Sequence, residues 1–133
     1  MDASTRDAVR RRADYRCEYC LLRQEYNDLV HHIEQIIAKQ HGGRDDLDNL
    51  ALACSRCNLQ KGPNLTGIDP SSGATVRLFH PRHDIWVEHF RFRGPTVEGL
   101  TPSGRATIHL LAMNDDRRLN LRSELRNRSV PMQ

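Results

Sequence analysis

A chain of 133 residues, 28% of them charged, can bury only one modest core, and a mean hydropathy of −0.68 suggests that this core needs a staple. Of the 20 basic residues only Lys39 and Lys61 are lysines; the rest are arginines, whose planar fork of donors matches phosphate best. The N-terminal "MDASTRDAVRRR" has no apolar signal segment and no run approaches the roughly 18 apolar residues of a membrane span, so the expectation is a cytoplasmic protein with no membrane partner.

In chain order, Asp2 or Ser4 is placed to cap a first helix that runs to about Ala13, with Val9 and Ala13 on one face and Arg10, Arg11 and Arg12 around the rest. "CEYC", residues 17–20, forms a tight knuckle. "LVHHIE", 29–34, is rich in β-branched and aliphatic residues and predicts a short strand. "AKQHGGRDDLD", 38–48, is a loop by its glycine pair and aspartates, and "NLALA", 49–53, is a second strand. Ser55 is positioned to cap a short helix that stops at Gly62-Pro63. "GIDPSSGATVRLF", 67–79, gives a turn and then a strand. "HDIWVEHFRF", 83–92, reads as another strand, with Trp86, Phe90 and Phe92 in a core. "TPSGRATIHLLAMN" opens with a Thr-Pro cap, and "DDRRLNLRSELRN" starts after Asn114 with acids first and arginines last, as the helix dipole favours.

Two Cys-x-x-Cys pairs, Cys17/Cys20 and Cys54/Cys57, supply four thiolates. In a reducing compartment that set indicates metal and not disulfides, and four sulfurs complete a closed tetrahedral Zn²⁺ site. With no open coordination position this ion is structural, so any chemistry must lie elsewhere. The strand containing Glu34 and the helix containing Asn58 and Lys61 are both tied to the cage. Asn58 and Lys61 lie three residues apart and so share a helix face. A carboxylate at 34 facing an amide oxygen at 58 makes a sparse oxygen site suited to Mg²⁺, which keeps most of its waters and takes few protein ligands.

The order of these signals, "EQII", "GG", "DNL", "CSRCN" and "K" between and after the cysteine pairs, resembles an HNH endonuclease of the ββα-metal type. The tail, from "GPNLTGIDP" to "GLTPSGRAT", resembles a bacterial subgroup of such proteins. The resemblance implies an α+β fold made of one domain over 1–133: a zinc-stapled ββα core at 17–62, a flanking N-terminal helix and a strand/helix extension at 63–133. It implies that Glu34 and Asn58 hold a catalytic divalent ion and that Asn49 braces the loop between the strands. The general base of the family is a histidine directly after the acid, seven residues before the first glycine. Counting back from Gly42 reaches Gln35. A carboxamide has no usable basicity near neutrality.

Three explanations are open. The register can slip so that His31-His32 takes the acid-His place, which leaves Glu34 without a role. His32, on the same strand side as Glu34, or His41, beside Gly42, can replace the base. Or the base is absent. His80, His83, His89 and His109 match no metal spacing and are expected to be structural, and the last two helices are expected to serve packing. The implied function is metal-dependent hydrolysis of DNA phosphodiester bonds, with RNA as another substrate class. Arg10, Arg11, Arg12, Arg56 and Lys61 are the expected phosphate contacts, Arg56 and Lys61 otherwise lying on a solvated face. The rival expectation is an inactive, zinc-stabilised nucleic-acid-binding module.

Overall fold

The computed structural model describes residues 1–133 as a small mixed α/β protein of five α-helices and three pairs of short antiparallel strands, in two compact units. The first unit comprises 1–65 and 80–84, the second 66–79 and 85–133.

In the first unit, α1 (Ala3–Arg12) is capped by Asp2, whose carboxylate accepts the Thr5 N–H at 2.8 Å. Its buried residue, Val9, joins Leu50 and Leu52 in an apolar cluster flanked by Ala13 and Ile33. Burying a Val or Leu contributes about 1.5–3 kcal/mol, so this cluster alone is a slender core. Asp14 and Tyr15 turn the chain out of the helix with φ near +53° and +55°. The knuckle follows and is stitched to β2 (Leu50–Ala53) through Glu18: its N–H donates to Leu52 O and its carboxylate accepts the Leu52 N–H, each at 2.8 Å.

The first strand, β1, runs His32–Gln35 and not 29–34. Gln24 accounts for the difference: its amide donates to Leu29 O at 3.0 Å and accepts the His31 N–H at 2.6 Å. A side chain has taken the backbone groups a ladder would use, and Leu29 and Val30 are left exposed. β1 pairs antiparallel with β2, setting Glu34 opposite Ala51 and Gln35 opposite Leu50. Between them, 3₁₀ turns at Lys39–His41 and Leu47–Asn49 break the loop. Gly43 is required there, since a Cβ would sit 1.7 Å from Ile37 O. The helix α2 (Ser55–Lys61) is capped by Cys54 and not by Ser55: the Cys54 sulfur accepts the Cys57 N–H at 3.4 Å. The cap is thus also a cage sulfur.

In the second unit, β3 (Thr66–Ile68) and β4 (Thr75–Arg77) form a hairpin, and β5 (Phe90–Arg93) pairs with β6 (Thr96–Gly99). The single strand expected over 83–92 is instead a helical turn, α3 (Trp86–His89), leading into β5. Only residues 90–93 have a partner strand, and Leu100 N–H closes on His89 O at 2.8 Å, which ends the ladder there. Phe90 is buried as expected, while Trp86 and Phe92 are half-buried, with the Trp86 ring against both Phe90 and Phe92. α4 (Pro102–Leu110) begins on Thr101, whose hydroxyl accepts the Gly104 N–H at 3.0 Å. α5 (Asp116–Asn127) is capped by Asp115. Two of its arginines lie inward: Arg118 donates to Leu111 O at 2.7 Å, and Arg122 to Pro95 O and Met113 O. Arg118 thereby satisfies the carbonyl at the end of α4, and Arg122 bridges the β5–β6 turn to the segment after α4.

Candidate metal centre and hydrolytic site

The two knuckles bring Cys17, Cys20, Cys54 and Cys57 together as four buried sulfurs, all within 4.8 Å of one another. Cys20 and Cys54 sulfurs stand 3.8 Å apart. A tetrahedron with Zn–S bonds of about 2.3 Å has S···S edges of about 3.8 Å, so the cage has the size of a zinc site. Cys17 and Cys54 sulfurs also accept the backbone N–H three residues on, which holds each knuckle in ligating shape. Burial pushes the Cys17 and Cys57 thiols well up, whereas hydrogen bonding from Cys17 draws Cys54 down. Four crowded, buried thiols are costly to ionise without a cation, and a divalent ion removes that cost. Soft sulfur donors in a closed set fit Zn²⁺.

Beside the cage, Glu34 is only 8% exposed. Tyr19, fully buried in the first knuckle, donates its hydroxyl to Glu34 Oε1 in a short hydrogen bond. Burial raises the Glu34 pKa, while the Lys61 charge pulls it back down. Burial and the Glu34 charge push the Tyr19 phenol well up, so it stays a donor. Lys61 does not lie on a solvated face: it is 2% exposed and its ammonium donates to Ile36 O at 2.8 Å. Each knuckle therefore sends one buried side chain to the Glu34 region, Tyr19 from within the first and Lys61 from the helix after the second. Asn58 is half-buried on α2, one residue after Cys57.

Gln35 lies half-buried at the end of β1, and its amide donates to Asp45 Oδ1 at 2.8 Å. Asn49 ties the intervening loop at both ends. Its carbonyl accepts the Ile37 N–H at 2.9 Å, and its amide donates to Ile37 O at 3.1 Å and Arg44 O at 2.8 Å. His32 and His41 are both exposed. His31 is buried, with Nε2 2.8 Å from Leu22 O, so its ring packs under the knuckle.

Among the arginines, Arg12 is exposed but its guanidinium is engaged by backbone, donating to Leu47 O and Leu50 O at 2.8 and 2.7 Å. Arg10 stands 3.6 Å from Asp7, Arg11 is exposed, and Arg56 is half-buried on α2. Sequence reasoning missed Tyr19, Asp45 and the pairing of Glu18 with Arg82. Only Tyr19 had a signal, as the one aromatic inside a ligand knuckle.

A strand hairpin and a short helix meet at four clustered thiols that could hold a metal ion, which makes a ββα arrangement. Residues 17–64 match the family model described as HNH endonuclease, so this segment is similar to an HNH endonuclease domain. Among curated proteins and among solved structures nothing matches the chain. HNH nuclease domains act on nucleic acids, and no helix here is long and apolar enough to cross a membrane.

Proposed function

We propose that the chain is a metal-dependent HNH endonuclease that hydrolyses DNA phosphodiester bonds, slowed by the glutamine at its general-base position. The observation that carries this reading is the position of Gln35. It follows a buried acid on the first strand of a matched HNH segment and is tethered by its amide to the loop. Glu34 and Asn58 would hold a divalent ion such as Mg²⁺, distinct from the Zn²⁺ that the cysteine cage would take. When bound, that ion offsets charge on the phosphate and on the leaving 3′ oxygen. Residues 63–133 serve as an extension of the domain.

The chain's own groups divide the remaining work. Tyr19 fixes the Glu34 carboxylate by its hydrogen bond, the Lys61 charge favours the carboxylate's ionised form, and Asn49 keeps the loop at the site. Gln35 can orient a water by hydrogen bonding but takes no proton from it. General-base help is typically worth about 10²–10⁴-fold, and that factor is what the glutamine removes. Exposed Arg11, with Arg10 and Arg56, contacts backbone phosphates; such contacts fix register and carry no base readout.

A second reading has one observation in its favour. The same Gln35–Asp45 bond leaves no basic group at position 35, as expected of an inactive zinc-stabilised nucleic-acid-binding module. Plasmid DNA incubated with Mg²⁺ or Mn²⁺, with the parent and Gln35→His side by side, separates the two. A parent that nicks slowly and a variant faster by about 10²-fold or more support the weakened enzyme. A silent parent with an active variant makes the parent a binding module. If both cut equally, His32→Ala or His41→Ala should abolish cutting, and its survival in both removes the substitute-base idea. Parallel substrates of single-stranded RNA decide the nucleic acid.

A further inference from the structure

The loop between β1 and β2 presents a carboxylate to position 35. We propose that Asp45 is the positioning residue for a general base at that site: it accepts a hydrogen bond from whatever side chain stands at 35 and so fixes that side chain's orientation toward the attacking water. The proposal rests on the nuclease reading above and names a residue that reading does not use.

Three observations bear on it. Gln35 Nε2 donates to Asp45 Oδ1 at 2.8 Å, so the end of the side chain at 35 already meets a carboxylate and not only solvent. Asp45 is not at a loose tip. The preceding carbonyl, Arg44 O, is held by Asn49 at 2.8 Å, and Gly43 N–H is held by Ala38 O at 3.1 Å. The close approach of Gly43 to Ile37 O, where no Cβ fits, fixes the loop's path just before it. Neighbouring Asp46 is engaged by Arg44 at 3.5 Å, while Asp45 faces Gln35.

An imidazole has two nitrogens. A carboxylate that accepts from one leaves the other as the acceptor and stabilises the imidazolium formed when a proton is taken. The amide of Gln35 uses the first half of this device and lacks the second, because its carbonyl oxygen is not basic. The chain thus presents an orienting carboxylate at 45 to a side chain, Gln35, that is itself no base. In the balanced step, the water oxygen bonds to phosphorus, the P–O3′ bond breaks and the leaving oxygen takes the electron pair. The water proton passes to the imidazole nitrogen that faces away from Asp45.

The test uses the full, zinc-loaded chain in the Gln35→His background. Adding Asp45→Ala should lower kcat by about 10- to 100-fold, the usual cost of losing an orienting partner. KM and zinc content should stay within about twofold, and Asp45→Glu should recover part of the loss. Equal kcat with and without Asp45 overturns the proposal, as does a Gln35→His variant no faster than a parent that already cuts. A Gln35→His variant that does not cut counts against the nuclease reading. The ¹⁵N shifts of the introduced imidazole then decide the positioning role: one fixed tautomer that averages on adding Asp45→Ala supports it, and shifts indifferent to Asp45 overturn it.

Discussion

The two compact units hold themselves together by different means. The first has a small apolar cluster of Val9, Leu50 and Leu52 and gives much of its interior to polar groups: four cysteines, Glu34, Lys61 and His31 are all buried there. The second has Leu78, Phe79, Phe90, Val97, Ala106, Leu111, Met113 and Leu125, and its buried charges are already satisfied. Asp69 is gripped by Arg105 through two bonds of 2.9–3.0 Å, and Arg118 and Arg122 close on backbone carbonyls. A unit that dedicates its interior to a site must import stability, and its four clustered cysteines could import it by holding a metal ion. Freed from that duty, the second unit uses ordinary packing.

The largest expected effect is therefore metal loss. Structural zinc in small fingers is worth about 10–16 kcal/mol of apparent folding energy, so dialysis against a strong chelator should unfold the first unit. Hydrogen exchange should show protection lost at Leu50–Ala53 and kept at Phe90 and Val97. Equal loss in both would erase the contrast. Asn49→Ala comes next, because it removes three hydrogen bonds and orphans Ile37 and Arg44 groups. The expected cost is about 1–3 kcal/mol in urea unfolding, with the loop amides exchanging faster. Tyr19→Phe deletes only the donor to Glu34. It should lower stability by about 1–2 kcal/mol while zinc content stays constant.

The smallest effect is pH-dependent and belongs to the second unit. Arg105, helped by Ser71 and Ser72, holds the Asp69 carboxyl well below the usual carboxylate range. A carboxyl with a lowered folded pKa stabilises above its ordinary value of about 3.9 and loses that contribution as pH falls through the lowered one. Asp69→Asn should thus lower the melting temperature at neutral pH, and the gap from the parent should close as the pH drops from about 5 toward about 2. A gap that is constant with pH would assign Asp69 a merely steric role.

How far the sequence revealed this depended on whether local or distant residues decide the outcome. Ligand spacing is local, so the cysteine cage was legible, as were the Asp2 and Thr101 caps and the helices they start. Strand ends were not, because partners chose them: Gln24 shortened β1 at its start, and four-residue pairing with β6 confined β5 to 90–93. The strands β3 and β6 carry too few residues for an alternating pattern to register. Lysine and arginine placement failed for a related reason. Lys61, Arg118 and Arg122 look like surface charges until the carbonyls that receive them are in view. Position 35 was legible as a departure, but its tether to Asp45 was not, since the two lie ten positions apart across the loop.

The proposed function depends above all on a second, oxygen-donor cation site separate from the sulfur cage. Mn²⁺ titrated into zinc-loaded protein and followed by electron paramagnetic resonance tests it most directly. One bound Mn²⁺ per chain is predicted, weakened about tenfold or more by either Glu34→Gln or Asn58→Ala with zinc content unchanged. Mn²⁺ binding that ignores both substitutions would contradict it.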